Sequence, residues 1–403
     1  MNDNSIIEST EAPTRRDTIK YGGAVVGGGL FAGCTGQSDS GSSDAKTPTE
    51  TGSGGDGSYE VCLPEPGCVE FDAPPSSFMT YRAAGTDMVI ALGQADGFRS
   101  VWQKDQFPWE MYDEFPGVST PNVDSIESVS YNEDYSVDKE WFYELDCDLH
   151  VIGPQYLTGW ALSAEDIEEL QTNVAPFFFQ YGRGPEFANE SGFEFLGLYP
   201  IFEQIAKVFQ AHDRYEQFEQ LNDEFVENIR SQLPKKKNKP SVGVISIGDE
   251  ATMNAYKADN PGWGKRQYRT LQIKNAFADQ IPENERFIET DFEPLVEADP
   301  DIIFELSGFW NADSREEFEE TVVKQLQNDP VASKVTAVQE GRVHASGNNS
   351  QGPLLSMLQT EVFAKQMHPG VFGGPRSVYD IGTVPDEPLF DRQRVADIIN
   401  GDI

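Results

Sequence analysis

From Phe78 onward the chain alternates short apolar runs with stretches whose apolar residues recur every three or four positions. A strand-like run at Phe78 passes into Asp87-Met88-Val89-Ile90-Ala91-Leu92, an apolar helix closed by Gly93. Residues 149–152 and 174–179 read as buried strands, and 164–171 as a helix capped by Ser163. Such alternation implies a parallel sheet. Between Leu198 and Leu233 the pattern changes, because Ile201, Ile205, Val208, Phe209, Phe218, Leu221, Phe225 and Ile229 form one apolar stripe at helical spacing without an internal glycine. Pro234 and Lys235-Lys236-Lys237 end it. Alternation restarts at 241–247 and runs on through Ile302-Ile303-Phe304, a helix at 321–326, a strand at Val343 and a helix at 354–367. The pattern predicts an α/β protein in which one long helix, 197–234, joins an N-terminal lobe, 59–196, to a C-terminal lobe, 235–403.

The two lobes share a local signature. Glu140, seven further residues and Asp148 lead into Leu149-His150-Val151-Ile152, while Glu293, seven further residues and Asp301 lead into Ile302-Ile303-Phe304. A carboxylate in the first turn of each helix is favoured by the helix dipole, and the closing Asp starts the next strand.

Upstream, Arg15-Arg16 precede an apolar, glycine-rich run that ends at Cys34, the arrangement of a twin-arginine export signal. The run is about a dozen residues, short of the roughly 20 that span a bilayer, so 1–34 reads as an export segment and not a permanent anchor. Leu30-Phe31-Ala32-Gly33-Cys34 resembles the lipobox of bacterial and archaeal lipoproteins, which implies lipidation at Cys34. Residues 35–58 are rich in Ser, Thr, Gly, Asp and Pro without apolar periodicity, as in a flexible tether. Together these place the folded part on the extracellular face of the membrane, lipid-anchored. In that oxidising setting Cys62 and Cys68, separated by a stretch that can turn back on itself, can pair, and Cys147 beside an apolar run reads as a buried thiol.

Charge narrows the partners. The 68 acidic residues against 30 basic ones give a net charge of −38 spread along the chain, which excludes the basic stripe a nucleic acid requires. A dispersed carboxylate excess suits a halophilic source, where salt screens self-repulsion; a merely acidic soluble protein is the alternative.

The paired Glu–Asp segments, the interlobe stretch and Ala337-Val338-Gln339-Glu340-Gly341-Arg342-Val343 are where the chain resembles a family. It is the periplasmic-binding-protein group that takes up ferric siderophores, haem and cobalamin for ABC importers, and the resemblance covers about residues 75–390. It implies the class III architecture, two Rossmann-like lobes joined by a rigid helix with ligand held in the cleft, and no catalysis. It also implies that Glu140 and Glu293 face arginines of an ABC permease. A proline of the family's first segment gives way to Cys147.

Ligand sites in such folds lie beyond the carboxyl ends of the strands. Loops there carry Tyr81, Arg82, Trp109, Tyr112, Tyr156, Trp160, Tyr181 and Arg183 in the first lobe, and Trp263, Lys265, Arg266, Tyr268, Arg269, Trp310 and Asn348 in the second. Of these, Tyr156, Trp160, Arg183, Trp263, Lys265, Arg266, Arg269, Trp310 and Asn348 are the ligand-binding candidates. The loop from Trp263 to Arg269 is expected to form one wall, facing Tyr156, Trp160 and Arg183. Arginines that pair with oxyanions and tryptophans with flat apolar faces suit an iron chelate such as a siderophore, or alternatively haem or cobalamin. The four histidines, His150, His212, His344 and His368, do not converge, so no resident metal or cofactor is expected. A secreted hydrolase is the rival class, but neither a Gly-x-Ser-x-Gly elbow nor a His-Glu-x-x-His pair is present. A lipoprotein that senses its ligand for a membrane receptor is the third reading.

Overall fold

The structure, a computed structural model, describes residues 57–402 apart from 103, 130, 134, 181, 183, 185–191, 249–251, 284, 307–311 and 313. The expected export signal with Arg15, Arg16 and Cys34, most of the tether, and the candidates Arg183 and Trp310 lie outside the described residues.

The described chain opens with a hairpin of β1 (Tyr59–Leu63) and β2 (Gly67–Phe71). Strict alternation buries Val61, Leu63, Val69 and Phe71 on one face, and on the other Cys62 lies opposite Cys68 and is bridged to it. Next come β3 (Phe78–Thr80), α1 (Ala83–Ala91), β4 (Phe98–Val101), α2 (Glu140–Leu145), β5 (Leu149–Val151) and α3 (Ala164–Asn173). The strands form a parallel sheet in the order β4-β3-β5. Ser163 caps α3 in a reciprocal box with Asp166, as its position predicts. The strand expected at 174–179 shrinks to a single parallel bridge between Phe177 and His150. Pro176 lacks an N–H to continue a ladder and contributes only its carbonyl, to His150.

The second lobe repeats this order and extends it. Its strands are β6 (Ser241–Ile247), β7 (Met253–Tyr256), β8 (Lys274–Asn275), β9 (Phe287–Thr290), β10 (Ile302–Glu305) and β11 (Val343–Ala345). They run β11-β10-β6-β7-β9, with β8 also against the start of β6; β8, β6, β10 and β11 are parallel, whereas β7 and β9 add an antiparallel ribbon. Thus β4-β3-β5 and β8-β6-β10 are the same arrangement used twice.

The duplication reaches individual atoms. The Glu140 N–H bonds Asp138 Oδ1 at 3.0 Å and the Glu293 N–H bonds Asp291 Oδ1 at 3.0 Å, each pair opening a short helix, α2 or α7 (Glu293–Ala298). Both helices end on a left-handed Asp, Asp146 (φ 47°) or Asp299 (φ 38°). Two residues on, Asp148 accepts from Ser76 and Ser77, and Asp301 accepts from the N–H and hydroxyl of Ser241, which fixes each helix to the start of β3 or β6. Burial would raise the Asp148 pKa, but the Ser76 and Ser77 bonds outweigh it and hold it below the usual range.

The interlobe stretch differs from expectation: it forms two helices, α4 (Leu198–Val208) and α5 (His212–Gln232), broken at Gln210, whose φ is 50°. In one straight helix Phe202 and Phe218 would stand about 24 Å apart along the axis. Instead their rings lie 6.0 Å apart, so the chain doubles back and the apolar stripe is shared between two facing helices. The helix α8 (Pro353–Met367) is buried along its whole length and packs against α1, α5 and α6 (Arg266–Thr270). The last helix, α9 (Arg392–Asn400), returns to α1 and α5. Arg214 in α5 fastens it, donating to Leu92 O at 2.8 Å and Ile398 O at 3.2 Å.

Candidate functional site

The carboxyl ends of β3, β4 and β5 converge on one aromatic basin. Tyr81 follows β3 directly, Trp102 follows β4, and Tyr156 lies in the turn after β5. Trp102 is its hub: its ring lies 5.5 Å from Tyr81, 6.0 Å from Tyr131, 6.0 Å from Trp141 and 6.1 Å from Trp160. Its indole N–H donates to the Tyr131 hydroxyl, and the Trp160 N–H donates to Tyr156 O. Trp102 and Tyr81 are buried, whereas Tyr131 (42% exposed) and Trp160 (40%) present stacked rings 6.3 Å apart to solvent. Arg82, at the start of α1, sets its guanidinium 5.1 Å over the Tyr81 ring. A floor of buried indole and phenol under an exposed, roughly parallel pair, with a cation at the edge, can hold a flat ligand by stacking and neutralise its charge.

The basin contains two ligand candidates of the sequence, Tyr156 and Trp160. Those of the second lobe are placed differently. Trp263 is buried as a wedge against the first lobe: its backbone N–H donates to Gly182 O at 2.8 Å, its indole N–H donates to Leu196 O at 3.0 Å, and its ring abuts Phe179. A side chain at position 182 would run into the Trp263 indole, so this approach requires glycine. Lys265 donates to Lys257 O at 2.6 Å over the Tyr256 ring; Arg266 donates to Asn222 Oδ1 at 2.9 Å and stacks on Tyr199; Arg269 bonds the carbonyls of Asn260 and Gly262. Burial, with Arg266 beside it, lowers Arg269 to about 10. Asn348 is buried, its side chain accepting from Ser350 N at 2.8 Å. The expected cationic wall is therefore turned onto the protein's own carbonyls and α5, and it joins the first lobe through Trp263.

A chain of buried amides extends that joint. Gln359 donates to Gln351 Oε1 at 2.6 Å, Gln351 to Gln267 Oε1 at 2.8 Å and to Trp263 O at 2.6 Å, and Gln267 to Gly264 O at 3.0 Å. Asp87 of α1 reaches across the same joint to the N-terminus of α8, accepting from Leu355 N at 3.0 Å and from the Tyr112 hydroxyl at 3.3 Å. Its carboxylate lies where a Cβ on Gly352 would come within 2.6 Å. Burial pushes Asp87 up to about 7 against the opposing pull of these bonds.

The model of the periplasmic binding protein family matches residues 79–349, which takes in the basin, the linking helices and most of the second lobe. The chain belongs to the periplasmic binding protein family. It is a substrate-binding protein of class III architecture and not an enzyme. Solved structures share the fold at low identity. A periplasmic binding protein from Veillonella parvula superposes with a TM-score of 0.57 at 14% identity, covering 78% of this chain and 99% of that one. The periplasmic haem-binding protein HutB of Vibrio cholerae gives 0.54 at 12%, covering 73% and 100%. The iron-uptake substrate-binding protein PiuA of Streptococcus pneumoniae gives 0.53 at 18%, covering 76% and 97%. No curated protein matches the sequence.

For this binding protein, Tyr81 and Arg82 were legible as residues after a strand, but Trp102, Tyr131 and Trp141 were not among the candidates. Trp102 had a readable signal, standing directly after the run Phe98-Arg99-Ser100-Val101. Tyr131 and Trp141 reach the basin from a long connection and from α2, and no local pattern announces that. Glu140 and Glu293 are exposed in the first turns of α2 and α7, at matching places in the two lobes. Among the described residues no helix is long and apolar enough to cross a membrane.

Proposed function

We propose that this protein captures an iron chelate with a flat, aromatic or conjugated ligand frame in the basin around Trp102 and delivers it to an ABC importer. The observation that carries this reading is the exposed Tyr131–Trp160 pair over a buried aromatic floor at the ends of three parallel strands. HutB, a haem-binding protein, and PiuA, an iron-uptake protein, support an iron-bearing ligand. Arg82 supplies a cation for the ligand's negative edge, and Arg183 and Trp310 are further candidate contacts. Tryptophan fluorescence titrations against ferric catecholates, ferric hydroxamates, haem and cobalamin, in high salt, test it. Trp160→Ala and Tyr131→Ala each remove a stacking face and should weaken binding of the aromatic chelate by about tenfold. Unchanged affinity in both variants removes the basin as the site.

Permease docking through Glu140 and Glu293, and anchoring through Cys34 after twin-arginine export, belong to the same proposal. The sequence of 15–34 supports the second. Cys34→Ser should move the protein from the membrane fraction to the medium; retention at the membrane would remove the lipid anchor.

A further inference from the structure

The β1–β2 hairpin carries a second cluster, away from the basin and absorbed by no part of the transport reading. Its register pairs Cys62 with Cys68 and Glu60 with Glu70, so these side chains share the outward face. Cys62 Sγ lies 3.8 Å from a Glu60 carboxylate oxygen, and ligand atoms of Glu60, Cys62 and Cys68 all lie within 4.8 Å of one another. Among the described residues this is the one group of His, Cys, Asp and Glu that converges in the manner of metal ligands.

We propose that this face is a reductant-gated site for a borderline-soft divalent cation of the zinc class, closed while Cys62 and Cys68 are bridged and opened when an external dithiol reduces them. The dithiol gives two electrons and two protons to the S–S bond and leaves as its own disulfide; two cysteine thiols remain. The incoming cation displaces both thiol protons and takes two thiolates and the Glu60 carboxylate, a donor set that suits a tetrahedral d10 ion with one position left for water. Reduction leaves the donors in place because the bridge is not what holds the hairpin. Val61, Leu63, Val69 and Phe71 are buried beneath it, Phe71 packs edge-on against Phe178, and the Tyr59 hydroxyl donates to Val208 O. The third described cysteine, Cys147, is a buried free thiol with its pKa pushed by desolvation up to about 12, so it does not compete for the cation.

The test uses the full chain carrying Cys34→Ser and Cys147→Ser, reduced with a dithiol, freed of it by gel filtration without oxygen, and titrated with cobalt(II), then with zinc(II) against a chromophoric chelator. The expected result is one cobalt per reduced chain with thiolate-to-metal charge-transfer absorption, displaced by zinc, and none for the bridged chain. Glu60→Gln, an exposed substitution that keeps the fold and both cysteines, should weaken the site by about tenfold or more, since even an outer partner of a metal ligand contributes that much. Equal uptake by bridged and reduced protein, or uptake that survives Cys62→Ser, overturns the proposal.

Discussion

Asp87 shows how one buried side chain sets a pH dependence for the joint between the lobes. Its carboxylate sits at the positive end of α8 and receives the Leu355 N–H and the Tyr112 hydroxyl, both of which favour the charged form. Complete burial outweighs them and lifts its pKa from 3.8 to about 7. A carboxyl whose pKa is higher folded than unfolded adds stability that is fully present below about pH 4 and is lost as pH rises through about 7. Asp87→Asn keeps an acceptor for Leu355 and removes the titration. The difference in unfolding free energy between the two proteins should therefore drift against the wild type by a few kcal/mol, in order of magnitude, from about pH 4 to about pH 8. Denaturant unfolding at fixed salt across that range reads it, and a constant difference would mean that Asp87 is ionised throughout. His150 has the opposite sign: buried between Phe142 and Phe177, it is lowered by desolvation to about 3, so its contribution is lost as pH falls below the ordinary histidine range.

At the level of elements, the paired corners make the sharper prediction. Glu140 and Glu293 open α2 and α7 from the same Asx turn, in helices closed by the same left-handed Asp, so whatever meets one meets its counterpart in a related orientation. Single exposed charges contribute little and are screened by salt. Glu140→Lys with Glu293→Lys should leave ligand titrations unchanged and reduce uptake in cells, whereas lost ligand binding would move these carboxylates to the cleft. The corners were legible because each is local: a Glu, a fixed interval and an Asp suffice to specify it. The strands at 149–151, 241–247 and 302–305 and the helix at 353–367 were legible for the same reason, since burial on both faces leaves continuous apolar runs. The break at Gln210 was not, because an apolar stripe is the same whether one helix faces a core or two helices face each other. The basin was half legible. Tyr156 and Trp160 follow a strand, but Tyr131 and Trp141 meet them only through tertiary folding, and Arg266 and Arg269 looked free in sequence because their partners are an Asn far along the chain and backbone carbonyls.

At the scale of the whole molecule, two kinds of electrostatics coexist and respond differently to salt. The surface carries the net charge of −38, whose self-repulsion weakens as ions screen it. Inside, Glu114, Glu361, Arg376 and Arg392 form a closed, neutral ring with side chains 0%, 0%, 5% and 6% exposed. Arg376 bridges Glu114 and Glu361, and Arg392 bridges them from the other side at 2.9 Å and 3.1 Å. The backbone N–H groups of Gly382 and Leu389 satisfy remaining lone pairs at 3.1 Å and 3.0 Å. The ring ties a first-lobe turn, Trp109–Glu114, to α8 and to the segment that leads into α9, so it closes the chain end onto both lobes. Arg376→Met leaves one excess negative charge buried and should cost about 3–5 kcal/mol. Adding Glu114→Leu restores neutrality around the remaining Glu361–Arg392 pair, so the double variant should be markedly less destabilised than the sum of the two single changes. Raising potassium chloride should stabilise wild type and variants alike through the surface, while the deficit of Arg376→Met stays constant, because ions do not reach the ring. Denaturant unfolding of the four proteins at low and high salt reads both effects; a deficit that fades as salt rises would mean that solvent enters the ring and that it does not hold the lobes together.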